Sequence, residues 1–251
     1  HPVAHSFPTR RSSDLVGLTL VAFGTSAPEL VVGSVASVQN HGEVVFGNVI
    51  GSNILNLALI LGLSAVIRRL PVHWRTTWRE VPLAVLAAVA VALVAVGNGA
   101  NESAAVVSRS EGGLLLLFFA VFLAYVASLM KTEPEAVAGS EANFGPVIAI
   151  LMAIGGIVLL VVGGQMIVTN AVIAARRFGV PDYVIAATIV AVGTSLPELT
   201  TAVVAAIRGN TDIAVGNVVG SNIFNSFLIL GTAAFIRPVE VPDVVAVDLA
   251  V

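Results

Sequence analysis

A two-part motif occurs twice in this chain of 251 residues, with the same spacing in both copies. Residues 24–30 read GTSAPEL and residues 193–199 read GTSLPEL, while GNVIGSNILN at 47–56 is matched by GNVVGSNIFN at 216–225. Both parts recur at an offset of 169 residues, so neither copy has a relative insertion or deletion. Internal symmetry of this kind predicts two halves with the same local structure.

The apolar composition predicts an integral, multi-pass membrane protein. The chain is 57% hydrophobic and 11% charged, with a mean hydropathy of +0.98, whereas soluble domains carry about 25% charged residues. A transmembrane helix needs about 20 apolar residues. The candidate spans are 16–38, 44–67, 81–97, 113–130, 146–168, 184–207 and 213–236, with the tail 243–251 starting a partial eighth.

The domain boundaries follow from the repeat. Residues 1–15 are polar and unlike 170–184, their counterpart at the repeat offset, so we predict a non-native leader, the alternative being a native polar arm. The acidic, helix-poor stretch 131–145 separates a first repeat at 16–130 from a second at 146–251.

The span count predicts opposite orientations for the two motif copies. The first copy lies in the first span and the second in the sixth, and five crossings reverse the direction of the chain. Inverted repeats of this kind place their sites near the membrane midplane, where the halves meet. One side of the membrane collects more cations and is predicted to be cytoplasmic; these are Arg68, Arg69, Arg75, Arg79, Lys131 and Arg208.

Each copy of GTSxPEL places a carboxylate beside a helix breaker. Pro28 lacks an N–H and crowds the carbonyl of Gly24, so we expect a kink that frees backbone carbonyls, and the same at Pro197. Carbonyls freed within a membrane must be buried in protein, line a cavity or bind a ligand. The carboxylates are Glu29 and Glu198, and the hydroxyls on the same turns belong to Thr25, Ser26, Thr194 and Ser195.

The second part of the motif adds further oxygens. Ser52 and Asn56 are four residues apart and share a helix face, as do Ser221 and Asn225. Glycines at 47, 51, 216 and 220 form G-x-x-x-G pairs that allow helices to approach closely. Two carboxylates with hydroxyl and amide oxygens favour a hard cation such as Ca²⁺ or Na⁺.

The other polar residues point to no competing site. The chain has no cysteine, and its histidines (His1, His5, His41 and His73) lie outside the predicted spans, which disfavours soft metals. No basic patch with aromatic residues suggests nucleic acid. Packing or structural roles are the alternative for Asn48, Asn53, Asn217, Asn222, Thr19, Thr188 and Gln165.

These motifs resemble the paired α-repeats of the cation/calcium exchanger superfamily, and the chain is most similar to prokaryotic sodium/calcium exchangers. The resemblance covers most of 16–238 and implies ten helices in two inverted sets of five, working by alternating access. It implies Glu29 and Glu198 as main Ca²⁺ ligands. It also implies oxygens from Thr25, Ser26, Thr194, Ser195, Ser52, Asn56, Ser221 and Asn225, with the carbonyls of Ala22 and Ala191 at outer sodium sites.

The chain departs from the family pattern in three ways. Compared with the family pattern, we expect the opening helix to be absent or replaced by the leader, and the second repeat to be truncated in its last helices. Asn stands at both 56 and 225, where some relatives place Asp at one of them. The two glutamates then give a site charge of −2, which balances one Ca²⁺ or two Na⁺ and leaves a third Na⁺ uncompensated.

We therefore expect an Na⁺/Ca²⁺ antiporter of a prokaryotic plasma membrane, not an enzyme, with no cofactor beyond the transported ions Ca²⁺ and Na⁺. A proton-coupled cation antiporter of the same fold is one alternative, because two buried carboxylates can also bind H⁺. A transport-incompetent fragment is another. An intramembrane hydrolase using Ser26 or Ser195 is disfavoured, since no His or Lys lies in the spans to act as a base.

Overall fold

The computed structural model describes Thr19 and residues 21–71, 76–97, 105–132, 146–179 and 191–241. The leader 1–15, the partial span 243–251 and the predicted role of Thr188 lie outside the described residues. The helices are α1 (Ala22–Thr25), α2 (Ala27–Val38), α3 (Gly42–Ile67), α4 (Val81–Gly97), α5 (Arg109–Thr132), α6 (Pro146–Arg177), α7 (Ala191–Thr194), α8 (Leu196–Arg208) and α9 (Thr211–Ile236).

Four of these helices, α3, α4, α5 and α9, are long and apolar enough to cross a membrane. Large apolar side chains such as Val31, Leu57, Val85 and Val121 are exposed on the helix surfaces. Apolar surface of this extent is typical of helices that face lipid. The prediction of an all-α polytopic membrane protein is thereby confirmed, whereas the opposite orientation of the two halves stays a prediction.

Helix α9 is the centre of the structure. In the most apolar stretch of α9, 89% of the residues are buried, compared with 22% in the corresponding stretch of α3. It packs against α8, α2, α3, α4 and α5. A helix in the interior can carry apolar or small side chains on every face, because none of its faces has to contact water.

Both helices that carry the GTSxPEL motif are interrupted, as the prolines predict. The chain leaves helical geometry at Ser26 (φ −83°, ψ 6°) between α1 and α2, and at Ser195 (φ −86°, ψ 6°) between α7 and α8. Pro28 and Pro197 then stand in the first turn of the new helix, where the missing N–H costs no hydrogen bond.

A second irregularity lies in the helices that carry the GSNIxN motif. Residues Asn56–Leu61 of α3 and Phe224–Ile229 of α9 are π-helical. Wide turns of this kind are frequent at functional sites, because they re-aim side chains within a helix. The motif spacing gave no indication of them.

The turns that join each broken helix to the next repeat the same geometry. Asn40 lies between α2 and α3 with a φ of 65°, and Gly209, 169 residues later, has a φ of 84°. In both turns a following N–H reaches back five residues, from His41 to the Ala36 carbonyl at 2.9 Å and from Asn210 to the Ala205 carbonyl at 2.8 Å. The two helical hairpins are therefore alike in structure as well as in sequence.

A close glycine contact lies outside the predicted G-x-x-x-G pairs. A Cβ on Gly47 would meet no described atom within 4 Å, so this glycine makes no close approach to the described part of the chain. Instead, α5 meets α9 at Gly112, whose added Cβ would lie 2.7 Å from the Phe235 backbone nitrogen, and at Gly231, 3.2 Å from the Gly112 carbonyl oxygen.

The connection predicted at 97–113 is shorter than the sequence suggested. Helix α5 starts at Arg109, and Ser108 and Glu111 form a reciprocal cap: the Ser108 N–H donates to Glu111 Oε2 at 2.7 Å, and the Glu111 N–H donates to Ser108 Oγ at 3.4 Å. Before it, strand β1 (Val106–Val107) pairs antiparallel with β2 (Val239–Glu240), a ribbon that the sequence did not predict.

Candidate ion-binding site

The two motif glutamates lie in the interior, at the start of the helices that follow the breaks. Glu29 is in the first turn of α2 and Glu198 in the first turn of α8, and each is 1% exposed. The first turn of a helix carries unpaired N–H groups and a partial positive charge, which stabilise a carboxylate. The breaks therefore put each acid where the backbone best tolerates its charge.

The serine of each break bonds to the glutamate of the other copy. Ser26 Oγ donates to Glu198 Oε1 at 2.9 Å, and Ser195 Oγ donates to Glu29 Oε1 at 3.3 Å. The two bonds are equivalent, because Ser26 and Ser195, like Glu29 and Glu198, are 169 residues apart. The two copies of the motif thus meet and complete each other's carboxylate.

The threonines make a second crosswise pair with asparagines of the GSNIxN helices. Thr25 Oγ1 donates to Asn217 Oδ1 at 3.1 Å, and Thr194 Oγ1 donates to Asn48 Oδ1 at 3.3 Å. The packing role considered for these asparagines thus includes direct hydrogen bonds to predicted site residues.

A third pair joins α3 to α9 through amides. Asn56 Nδ2 donates to Asn222 Oδ1 at 2.9 Å, and Asn225 Nδ2 donates to Asn53 Oδ1 at 3.1 Å. In all three pairs, the second bond joins the residues that are equivalent to those of the first, with the two repeats exchanged. This reciprocal pattern is the one that a two-fold axis produces. The repeat is therefore expressed as local two-fold symmetry around one pocket.

Six buried side-chain oxygens around these contacts have no hydrogen-bond partner among the described residues. They form three symmetric pairs: Glu29 Oε2 with Glu198 Oε2, Ser52 Oγ with Ser221 Oγ, and Asn56 Oδ1 with Asn225 Oδ1. A buried polar atom without a hydrogen-bond partner lowers the stability of a protein by about 1–3 kcal/mol. Six such oxygens in one place therefore indicate that a ligand binds there. Oxygen donors in this number are what Ca²⁺, with six to eight ligands, takes in proteins.

Acidic residues supply the charge of this pocket but only some of its oxygens. Among the described residues no group of three or more His, Cys, Asp or Glu lies close enough to hold a metal. The pocket thus carries two carboxylates, with neutral oxygens around them. This composition suits hard cations of low total charge.

The other predicted positions lie at the margin of the pocket or cannot be placed. The Ala22 carbonyl accepts a bond from the Ser26 N–H at 2.9 Å and lies 3.3 Å from Thr25 Oγ1, whose single proton is shared between this carbonyl and Asn217 Oδ1. Ala191 begins α7, and Thr19 is buried. The side chain of Gln165 lies outside the described part of the chain.

Sequence reasoning missed Ser226, which is 1% exposed and accepts a bond from Asn53 Nδ2 at 3.1 Å. The signal was present, because serine follows the second motif copy where the first copy has Leu57. It also missed Ser37, whose Oγ donates to the Ala233 carbonyl at 2.6 Å and ties α2 to α9.

A buried pocket of oxygens, built where broken helices of two repeats meet within apolar spans, defines the class of polytopic ion transporters. The sodium/calcium exchanger protein family matches the chain over residues 3–127 and 148–251. This chain therefore belongs to the sodium/calcium exchanger family, and it is a multi-pass membrane protein of the cation/calcium exchange class.

Named relatives agree with this assignment. Inner membrane protein YrbG of Escherichia coli is 35% identical over 236 residues, covering 90% of this chain and 70% of the relative. Sodium/calcium exchanger MaX1 of Methanosarcina acetivorans is 32% identical over 273 residues, covering 92% of this chain and 76% of that one.

Solved structures of the sodium-calcium exchanger NCX_Mj have the same fold. The form soaked with 2.5 mM Na⁺ and 0.1 mM Ca²⁺ has a TM-score of 0.75 at 30% identity, covering 94% of this chain and 75% of that one. The form soaked with 100 mM Na⁺ and 10 mM Sr²⁺ has a TM-score of 0.77 at 29% identity. MaX1 and NCX_Mj are named as exchangers, which is a class of transporter and not of enzyme.

Proposed function

We propose that this protein exchanges Na⁺ for Ca²⁺ across a membrane by alternating access, with one pocket serving both ions. The observation that carries the proposal is the set of six buried oxygens, in symmetric pairs, that lack partners among the described residues. The names of MaX1 and NCX_Mj, both sodium/calcium exchangers, support the same ion pair.

Within this proposal, Glu29 and Glu198 are the charged ligands. Ser52, Asn56, Ser221 and Asn225 are neutral ligands. Thr25, Ser26, Thr194 and Ser195 hold the glutamates and asparagines in place and contribute oxygens of their own, with the Ala22 and Ala191 carbonyls as outer sodium ligands. No cofactor is needed.

The charge of the pocket explains why the two ions would compete. Two ionised glutamates balance one Ca²⁺ or two Na⁺, and a charge left over in a medium of low dielectric constant is costly. Ca²⁺ and Na⁺ therefore exclude each other from the glutamates. We propose that the helix breaks at Ser26 and Ser195 let the halves move only when the pocket is neutralised.

Proton coupling is the second candidate, and one observation favours it. Both glutamates are 1% exposed, so an ion-free pocket would have to hold two adjacent buried charges. Binding of H⁺ relieves that cost as well as Na⁺ does. Ca²⁺ flux driven by a pH gradient in the absence of Na⁺ would identify this alternative.

The decisive experiment is Ca²⁺ uptake into vesicles driven by an outward Na⁺ gradient. We expect Glu29→Gln and Glu198→Gln each to abolish uptake, because one remaining charge cannot balance Ca²⁺. Glu43→Gln is the matched control, since Glu43 lies in the first turn of α3 but is exposed. Wild-type flux in either pocket variant contradicts the proposal.

We also propose a cellular location for the protein. The E. coli relative is named an inner membrane protein, so the prokaryotic plasma membrane is the expected location. The excess of arginines on the side of the 68–80 connection is expected to face the cytoplasm.

A further inference from the structure

The two motif copies differ at one buried polar position beside the pocket. Ser226 follows Asn225 in α9, whereas Leu57 holds the equivalent place after Asn56 in α3. Ser226 is 1% exposed and Leu57 is 54% exposed. Asn53 Nδ2 donates to Ser226 Oγ at 3.1 Å. The α9 copy therefore adds a hydroxyl to the pocket's amide network that the α3 copy lacks.

Each pocket asparagine is oriented by an amide behind it. Asn225 donates Nδ2 to Asn53 Oδ1, and Asn56 donates Nδ2 to Asn222 Oδ1. A primary amide has its acceptor on one atom and its donors on the other, so each bond turns the Oδ1 of the pocket asparagine away from the supporting amide. That oxygen has no donor among the residues that the structure describes. The orientation of the supporting amide thus decides which atom the pocket asparagine offers to a cation.

The two supporting amides are themselves held by different chemistry. Asn222 Nδ2 donates to the backbone carbonyl of Asn53 at 3.5 Å. A carbonyl can only accept, so this long contact favours one orientation of the Asn222 amide, because the reversed amide would bring two oxygens together. The Asn53 amide instead meets the Ser226 hydroxyl, which can accept or donate. If the hydroxyl donates, the Asn53 amide can turn over and present its Nδ2 to residue 225.

We propose that Ser226 is a positioning residue that makes the hydrogen-bond polarity of the Asn225 side of the pocket reversible, while the Asn56 side is fixed. The proposal rests on the proposed function, since it assumes that these asparagines face a cation. It follows that position 225 accommodates an acid and position 56 does not, although the sequence shows the same residue at both.

Asn225→Asp and Asn56→Asp test this asymmetry in purified protein. We expect Asn56→Asp to lower the ion-free thermal midpoint more than Asn225→Asp, because its carboxylate faces the fixed Asn222 Oδ1. Asn225→Asp is expected to keep Ca²⁺ binding, since the turned-over Asn53 amide donates to the new carboxylate, whereas Asn56→Asp is expected to weaken it. Equal losses of stability in the two variants overturn the proposal.

Ser226→Ala, alone and combined with Asn225→Asp, isolates the role of the hydroxyl. Alone it removes one acceptor from Asn53, and a small effect is expected. In the Asn225→Asp protein it removes the donor that the turned-over Asn53 needs, so we expect the Ca²⁺ affinity to fall by roughly tenfold more than in the wild-type background. Additive effects contradict the proposal.

Two further variants keep the test specific. Ser226→Thr retains a hydroxyl and is expected to restore the affinity that Ser226→Ala loses in the Asn225→Asp protein. Ser64→Ala is the matched control, because Ser64 is fully buried in α3 and its Oγ has no partner among the described residues. A Ser64→Ala effect equal to that of Ser226→Ala in the same background overturns the positioning role.

The thermal and Ca²⁺ measurements separate this inference from the proposed function. A wild-type protein that shows no Ca²⁺-dependent stabilisation contradicts the proposed function. The difference between the two ion-free midpoints still reports the amide asymmetry in that case.

Discussion

Glu29 and Glu198 are buried acids whose charge the surrounding groups stabilise in the same three ways. Each stands in the first turn of a helix, each accepts a hydrogen bond from a serine hydroxyl of the other repeat, and each keeps one oxygen with no donor in the described part of the chain. An intramembrane acid is costly, and one retained in this environment indicates function. The remaining oxygen is the atom through which each glutamate can meet a cation.

The two serines should matter equally. Ser26→Ala and Ser195→Ala each remove a hydrogen bond to a carboxylate, an interaction of about 1.5–3 kcal/mol, so Ca²⁺ affinity should fall by roughly tenfold or more in each variant. Calorimetric titration of the purified protein measures this. Ser64→Ala serves as control, and loss of affinity in only one of the two serine variants would show that the reciprocal bonds are not equivalent.

At the scale of single helices, the site depends on irregular backbone. Helices α1 and α2, and likewise α7 and α8, are separated by one residue, while α3 and α9 carry π-helical turns beside Asn56 and Asn225. Regular helices would direct these side chains along the helix surface at intervals set by 3.6 residues per turn. The breaks instead aim the first turns of α2 and α8 into the interior.

Pro28→Ala tests whether Ca²⁺ binding depends on the helix interruption at Ser26. Alanine restores the N–H and favours a continuous helix through Ser26, which would draw Glu29 away from the first-turn position. We expect the Ca²⁺-dependent rise in thermal midpoint to shrink, while the ion-free midpoint stays the same or rises. Pro197→Ala should behave alike, and unchanged Ca²⁺ stabilisation in both would contradict this role for the prolines.

The contact between α5 and α9 gives a matched pair of glycine variants. A Cβ on Gly112 would come within 2.9 Å of backbone atoms of α9, whereas one on Gly113 would meet only the Phe235 ring, at 3.9 Å. Gly112→Ala should therefore lower the free energy of unfolding by about 1–3 kcal/mol. Gly113→Ala should be neutral or stabilising by up to about 1 kcal/mol, because alanine is the better helix former.

Thermal melting in detergent compares these two variants directly. Equal midpoints would show that α5 and α9 can separate slightly without cost. A lower midpoint for Gly112→Ala alone would place the tight packing of α9 at this crossing.

For the molecule as a whole, the pocket exists only where the two halves meet. Its hydrogen bonds join residues 146 to 192 positions apart in the chain. Helix α9 brings the halves together because it is buried against α2 and α8 as well as α4 and α5. Neither half alone holds both carboxylates, so ion binding should require the intact assembly of repeats.

The pH dependence of Ca²⁺ binding follows from this shared pocket. Ca²⁺ binds ionised carboxylates, so it competes with protons, and its affinity should fall as the pH is lowered. Because the pocket has two carboxylates and each can release at most one proton when Ca²⁺ binds, log Kd should change by at most about two per pH unit. Glu29→Gln should reduce that slope and Glu43→Gln should leave it unchanged; a slope of zero in the wild type would contradict direct proton competition.

The sequence by itself determined the membrane class, the helix interruptions and most of the pocket. Apolar runs indicated the spans, Pro28 and Pro197 predicted the breaks, and the constant offset of 169 residues paired the polar side chains that meet in the pocket. These features are local, because they depend on backbone chemistry and on spacing within single helices. The Ser108–Glu111 cap was also encoded locally and was overlooked.

Only the tertiary structure decided which residues meet across the repeat. The crosswise bonds of Ser26 and Ser195, the tight contact at Gly112 and the role of Ser226 all depend on how α9 is seated among the other helices. Spacing gives the face of a helix but not the rotation and depth at which that face packs against a partner. For the same reason, Asn56 and Asn225 match in sequence but are supported differently in the folded protein.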